Sequence, residues 1–287
     1  MKKTRHDTNL SVGQNSGGLP PARSAFEANR NRTGTREWSD HSYNCVTGCS
    51  HNCYYCYARW MARRFGRINS LEAWEIMEID RKKVLASARQ FSGVVMFPTT
   101  HDLTPEVLPV ALTVLRNLLA AGNQVLIVSK PHRAVIRTIC RECNDWKKQI
   151  QFRFTIGSSS AAVCKLWEPG APPPRERIEA LRYAFGAGYR TSVSMEPMLG
   201  DNAEMRVLVD RVAPFVTDTV WLGKMNGVIP QYAQKLPGLK ASLQQIHEWQ
   251  SDERILELYS ALRVNRQVRW KDSIKEVLGH HKIEVNQ

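Results

Sequence analysis

The stretch Val94-Val95-Met96-Phe97-Pro98-Thr99-Thr100-His101-Asp102-Leu103-Thr104-Pro105 decides how this chain of 287 residues is read. Four apolar residues in a row make a short buried strand, and the polar loop after them ends in a helix start with proline in the first turn. Leu108, Leu112, Leu115 and Leu119 then fall on one helical stripe, and Gly122 suits the helix end. At Val125 to Val128 a second apolar run begins the cycle again. Strand, loop, helix and strand make one βα unit, the crossover that parallel neighbours require.

The rhythm extends in both directions. Beyond the second run, His132 to Lys147 reads as a helix, and Phe152 to Ile156 as a strand followed by Gly157 and three serines. The loop from Glu168 to Pro174 leads into a helix with Ile178, Leu181 and Phe185 on one face. Thr191 to Met195 is the next strand, Ala203 to Val212 a helix, and Thr219 to Leu222 a further strand. On the N-terminal side, Tyr57 to Gly66 reads as a helix with Trp60, Met61 and Phe65 on one face, and Asn69 to Gln90 as a mixed-charge helical stretch. With a short strand near Tyr43 to Val46, the strand candidates number six. Six units suit an incomplete barrel or an open doubly wound sheet, and not the eight of a full barrel. In either architecture the functional loops follow the C-terminal ends of the strands.

Asn44-Cys-Val-Thr-Gly-Cys-Ser-His-Asn-Cys-Tyr-Tyr-Cys-Tyr57 therefore lies on the active face, because it follows the first strand candidate. It holds four of the seven cysteines, three of them as Cys49-x3-Cys53-x2-Cys56. Random scatter would produce that triple in about 0.004 chains of this composition, so chance does not explain it. Three thiolates on one loop can hold three irons of a [4Fe–4S] cluster and leave the fourth open to a chelating small molecule. The competing readings are a closed Cys₄ zinc site that includes Cys45, and a free-thiol redox pair at Cys53 and Cys56. Cys140-x2-Cys143 falls on a predicted helix beside Ile136 and Ile139, where packing accounts for it. Cys164 falls in the loop after a strand candidate and is a candidate hydrogen-atom donor; the plain alternative is an ordinary loop cysteine.

Composition sets the frame for this chemistry. Hydrophobic residues make up 43% and charged residues 23%, as in globular domains, and no apolar run has the ~20 residues of a membrane helix. The N-terminus is polar, so a cytoplasmic protein without membrane association is expected. The formal charge of +13 points to an anionic partner, such as nucleic acid or a nucleotide-like ligand, with a basic surface kept for solubility as the alternative. Three regions are expected: a flexible basic arm over 1–40, a core over 41–228, and a helical basic extension over 229–287. Ile229 to Gly238 reads as a loop, and Leu239 to Trp249 and Glu253 to Val264 as helices of that extension.

The cysteine spacing, with an aromatic beside the last cysteine, resembles the signature of the radical S-adenosylmethionine (SAM) superfamily. Thr47-Gly-Cys-Ser-His-Asn-Cys-Tyr-Tyr-Cys-Tyr-Ala-Arg59 is similar to the spore photoproduct lyase-like branch, and so is Leu166-Trp-Glu-Pro-Gly-Ala-Pro-Pro-Pro-Arg-Glu-Arg-Ile-Glu-Ala-Leu181, with Met195-Glu-Pro-Met198 after it. This resemblance covers about residues 42–226. It implies an α/β fold, a partial (β/α)6 barrel of radical SAM type with the helical C-terminal extension beside it. It also implies a [4Fe–4S] cluster on Cys49, Cys53 and Cys56 that reductively cleaves SAM to a 5′-deoxyadenosyl radical, which abstracts hydrogen from a substrate. A reductant such as flavodoxin or ferredoxin would supply the electron. By the same resemblance, SAM contacts fall at Thr99, Thr100, His101 and Asp102, at Ser129 and Lys130, at Ser158, and at Glu196, with Arg175 after them. Each has a structural alternative: Asp102 or Thr104 as a helix cap, Lys130 as a surface lysine, Glu196-Pro197 as a turn. The Gly-Gly-Glu pattern common in the superfamily is absent, and no cysteine is anchored by a motif as the hydrogen donor of the lyase. A relative with another substrate is expected. The alternative of a different class is a nucleic-acid-binding protein with a structural zinc or iron–sulfur site and no SAM turnover.

Overall fold

The computed structural model describes Phe26 and residues 34–225 and 236–285. Most of the arm expected over 1–40, and the loop expected from Ile229 as far as residue 235, lie outside the described residues. In chain order, β1 (His41–Ser42) precedes a hairpin of β2 (Val46–Thr47) and β3 (Glu78–Ile79), with α1 (Tyr57–Arg64) between its strands and α2 (Arg81–Leu85) after it. Strand and helix then alternate: β4 (Val94–Met96), α3 (Leu108–Ala120), β5 (Gln124–Ser129), α4 (Arg133–Glu142) and β6 (Ile150–Thr155). The helices α5 (Ala161–Trp167) and α6 (Pro174–Gly186) lead to β7 (Arg190–Met195), α7 (Asn202–Val212) and β8 (Val220–Leu222). The chain ends in α8 (Pro237–Trp249), α9 (Asp252–Leu262), β9 (Val268–Trp270) and α10 (Asp272–His280).

The central sheet has the order β1-β4-β5-β6-β7-β8-β9, every pair parallel, and it is open, with β1 and β9 at its edges. The α/β class and the consecutive βα units expected from the sequence are both present. A seventh strand is added: β9, from the C-terminal region, pairs Val268 with Val220 and Trp270 with Leu222. Three residues with a central arginine carry too little pattern to be read as a strand. The first strand sits at His41–Ser42 instead of Tyr43 to Val46, since Val46 pairs with Ile79 in the separate hairpin. Asn69 to Gln90 is not a helix; a 3-10 turn at Glu72–Glu75, β3 and the short α2 replace it. Its backbone is committed to the cysteine loop instead, with Cys49 N–H donating to Trp74 O at 2.7 Å and Asp80 N–H to Cys45 O at 2.9 Å.

Both faces of the sheet are buried, and they differ in chemistry. Along β6 the sequence Ile-Gln-Phe-Arg-Phe-Thr alternates as if one side met water, yet all six residues are buried. Phe152 and Phe154 join Val95, Ile127, Val193 and Leu222 in the main core, which takes in the buried faces of the flanking helices. Side chains of strands alternate in direction, so Gln151, Arg153 and Thr155 face the other way, as do Val94, Met96 and Leu126, which pack with Phe26 and Trp38. Residues 34–40, assigned to the arm from the sequence, are part of this inner layer: Glu37 is 1% exposed and pairs with Lys271. The inner face is where the site lies.

Candidate active site

The cysteine loop is held on the C-terminal ends of β4 and β5 by its own local structure. Gly48 takes φ +97°, and a Cβ there would overlap the Ile76 carbonyl oxygen, so only glycine fits the approach to the hairpin. Asn44 ties the loop's start to the turn after β4: its Oδ1 accepts from Thr99 N–H at 2.8 Å and Thr100 N–H at 2.9 Å, and its amide donates to Thr99 Oγ1 at 2.6 Å. On the other side α1 buries Ala58, Arg59 and Ala62 against Cys49 and Trp74, whereas Met61 and Phe65, read as its apolar face, are exposed. Ala58 and Ala62 let the helix, which starts directly after Cys56, pack close to the loop, and Arg59 is buried beside them with its Nε donating to Leu71 O at 2.8 Å.

A cavity of about 590 Å³ opens above the inner face. Cys49, Cys53 and Cys56 line it together with Thr99, Thr100, His101 and Asp102 after β4, Ser129 and Lys130 at the end of β5, and Glu196 after β7. Most residues assigned from the sequence thus meet in one place. Three do not: Ser158, Cys164 and Arg175 are not among the lining residues. Ser158 Oγ donates to Glu204 Oε1 at 2.6 Å. Cys164 is buried within α5, not in a loop, with its thiol directed at Ser158 O at 3.8 Å. Arg175 lies on α6 and pairs with Glu179 at 3.1 Å. Cys45 belongs to the main core, and Cys140 and Cys143 are buried there too.

Electrostatics knit the cavity wall together. Asp102 accepts from Leu103 N–H at 2.8 Å, Lys130 N–H at 2.9 Å and the Ser129 hydroxyl, and its Oδ2 is 3.1 Å from His51 Nδ1. Burial opposes its charge, but His51, Lys130 and Ser129 outweigh burial and hold its pKa well below the usual carboxylate range. His51 Nε2 in turn lies 3.0 Å from His132 Nε2. Asp102 thus does more than cap a helix: it joins the turn after β4, the end of β5 and the cysteine loop. Burial likewise opposes the charge on Lys130, yet Cys53, Glu168 and Asp102 keep its pKa raised, and its ammonium sits 5.4 Å from the centre of the Tyr55 ring. At the far end Lys271 Nζ bonds Glu37 Oε2 at 2.6 Å, lies 3.8 Å from Glu196 and faces the Trp38 ring at 4.2 Å. Burial raises the pKa of Glu196, with Lys271 opposing it.

The donor set fits an iron–sulfur cluster. All three cysteines are free; burial raises the pKa of each, Cys53 to about 12, and neighbouring thiolates add to the rise at Cys49. Clustered buried thiols become thiolates when a cationic metal compensates the charge. Among the described residues no three His, Cys, Asp or Glu groups converge on a single ion site. A cluster asks for no such convergence, because each thiolate binds a different iron. Sequence reasoning missed Asn44, His51, His132, Trp38 and Lys271. His51 stands inside the cysteine run and so carried a local signal; Lys271, far along the chain, carried none.

No protein-family model matches the chain. It is 25% identical over 250 residues to an uncharacterized protein of Acidianus two-tailed virus, a match covering 79% of this chain and 80% of that one. A second uncharacterized protein, from Methanocaldococcus jannaschii, is 23% identical over 176 residues, 60% of this chain and 65% of the other. Among solved structures, a spore photoproduct lyase double mutant with bound AdoMet and dinucleoside spore photoproduct aligns with a TM-score of 0.52 at 14% identity, over 87% of this chain and 79% of that one. The chain has the spore photoproduct lyase fold. The likeness in fold extends well beyond the cysteine and Trp-Glu-Pro-Gly motifs, over 87% of the chain. Among the described residues no helix is long and apolar enough to cross a membrane.

Proposed function

We propose that this protein is a radical SAM enzyme. The observation that supports it best is the meeting of Cys49, Cys53 and Cys56 with the polar ends of β4 and β5 in one cavity of a spore photoproduct lyase fold. Cys49, Cys53 and Cys56 would hold a [4Fe–4S] cluster, and SAM would lie against Thr99, Thr100, Asp102, Ser129, Lys130 and Glu196. When bound, these groups supply one-electron cleavage of SAM and a carbon radical able to take a hydrogen atom. The chain's own residues bind, orient and exclude water. Lys130 brings a fixed positive charge for a carboxylate, and Asp102 holds the Ser129–Lys130 backbone and His51 in register. Met96, Pro98, Val128, Pro197 and Met225 give the cavity apolar walls that keep bulk water from a reactive intermediate.

The far end of the cavity, with Trp38, Lys224 and Lys271, faces the substrate in this reading. Lys271 is balanced there by Glu37 and Glu196 and Lys224 by Asp252, so it is the overall charge of +13 that supports an anionic substrate, with nucleic acid or a nucleotide-like molecule as the class to try first. A flavodoxin- or ferredoxin-type reductant would deliver the electron. The test is anaerobic reconstitution with iron and sulfide, followed by dithionite and SAM. The expected result is a brown protein that releases 5′-deoxyadenosine, with release abolished in Cys49→Ala. Stoichiometric zinc and no 5′-deoxyadenosine would replace this reading by a nucleic-acid-binding protein with a structural metal.

A further inference from the structure

The segment Trp167-Glu-Pro-Gly-Ala-Pro172 lies outside the cavity apart from the groups it touches, yet it is bound to the cysteine loop at several points. Tyr54 N–H donates to Trp167 O at 2.9 Å, and Gly170 N–H donates to His51 O at 3.1 Å. The two backbones run so close at Gly170 that a Cβ there would overlap Ser50 O and come within 3.0 Å of His51 Cα. The Tyr55 phenol donates to Glu168 Oε1, and Glu168 Oε2 accepts from Arg177. Arg177 completes the brace by donating to Pro172 O at 2.7 Å and to Thr155 O, at the end of β6, at 3.3 Å. Neither Glu168 nor Arg177 lines the cavity, and both side chains are fully buried.

We infer that this segment is a brace that sets the positions of Cys53 and Cys56 relative to Cys49, with Glu168 as a positioning residue acting through Tyr55. The inference rests on the radical SAM reading of the cysteines. Between Cys49 and Cys56 the loop makes few bonds of its own: Asn52 N–H to Cys49 O at 3.2 Å and Cys56 N–H to Cys53 O at 3.2 Å. Cys49 N–H to Trp74 O, His51 to Asp102 and Asn52 to Glu75 anchor the first half of the loop, and the brace anchors the half that carries Tyr54 and Tyr55. The brace supplies three fixed points, one at each of His51, Tyr54 and Tyr55, and refers them to β6 and α6 in the rigid core. A carboxylate suits the central post because it accepts from a phenol with one oxygen and from a guanidinium with the other.

Tyr55→Phe deletes one hydroxyl and keeps the ring, and Gly170→Ala pushes the brace off the loop. Both are compared with the parent by melting of the metal-free protein, iron and sulfide per chain after reconstitution, and the EPR spectrum of the dithionite-reduced protein. The expected result is that Gly170→Ala, still folded when metal-free, retains less than half the parent's iron. Tyr55→Phe is expected to load iron and show shifted EPR g-values. Parent-like iron content and EPR spectra in both variants would overturn the brace while leaving the radical SAM reading intact. A parent that takes up no iron and sulfide would overturn that reading, and the brace with it. If Gly170→Ala does not fold, Tyr55→Phe alone decides, because a parent-like spectrum from it removes the link through Glu168.

Discussion

Arg177→Met should destabilise the metal-free protein strongly at neutral pH and much less in mild acid. Both members of the Glu168–Arg177 pair are fully buried, and methionine fills the space without supplying a donor. The carboxylate then keeps the Tyr55 hydrogen bond and the charge of Lys130, and the carbonyls of Pro172 and Thr155 lose their side-chain partner. Breaking a buried pair by removing one partner costs about 3–5 kcal/mol. The variant has an escape, since Glu168 can take up a proton. Relative to an unfolded pKa of about 4.3, that costs about 1.4 kcal/mol per pH unit, so the charge penalty cannot exceed about 4 kcal/mol at pH 7 and about 1 kcal/mol at pH 5. The lost carbonyl bonds add about 1 kcal/mol each at any pH.

The sign follows from the two states. In the parent, burial works against the Glu168 charge, but Arg177 and Lys130 outweigh it and lower the pKa, so the carboxylate is ionised in folded and unfolded chains alike from pH 5 to 7. In the variant the folded pKa rises, the folded state binds the extra proton, and stability falls as pH rises above the unfolded value. The expected losses are at most about 6 kcal/mol at pH 7 and at most about 3 kcal/mol at pH 5, with the larger loss at pH 7, read from urea melts at both pH values. Glu168→Gln/Arg177→Met should recover at least about 2 kcal/mol of the neutral-pH loss, as a buried pair replaced as a unit does. Equal losses at the two pH values, or no recovery in the double variant, would refute the reasoning.

Asp102→Asn removes a charge that accepts four hydrogen bonds and should cost about 2–4 kcal/mol at pH 7 in urea melts. Because the pKa of Asp102 is lowered on folding, its contribution is present above the unfolded value of about 3.9 and fades as pH falls below it; the variant's acid-unfolding limb should be correspondingly flatter. Cys45→Ala, in the main core, should cost about 1–2 kcal/mol and leave iron per chain at the parent level; a drop in iron would make Cys45 a ligand after all. Trp270→Ala, on the edge strand β9, should cost about 3–5 kcal/mol by thermal melting, whereas a change under about 1 kcal/mol would show that β9 is not integral to the sheet.

Much of the fold was legible because its signals are local. The apolar runs at Val94, Val125 and Phe152 each marked a strand of the central sheet, the segments from Thr191 and Thr219 continued their spacing, and the leucine stripe from Leu108 marked α3. The cysteine triad was legible for the same reason, with three like residues inside eight positions. Misreadings arose where local pattern and tertiary demand diverge. Asn69 to Gln90 has helical composition, yet its carbonyls and amides are used by the cysteine loop. On α1 the large residues looked like the buried face, but Ala58 and Ala62 pack close to the loop, with Arg59 buried beside them. Cys164 looked like a loop residue because Gly157 and three serines precede it; Ser160 instead caps α5, accepting from Val163 N–H at 3.3 Å.

By itself, then, the sequence determined the alternation of strand and helix, the parallel order that follows from it, and the place of three cysteines at the C-terminal end of the sheet. These depend on residues near one another in the chain, through periodicity, capping and spacing. Only the tertiary structure decided that β9 and residues 34–40 complete the inner layer, that His51 meets Asp102 and His132, and that Glu168 and Arg177 brace the loop from behind. Glu37 and Lys271 are 234 residues apart, and neither shows a pattern that names the other. Burial of paired charge is settled where distant elements close upon one another, and a charged residue that will be buried there reads in the sequence like one bound for the surface.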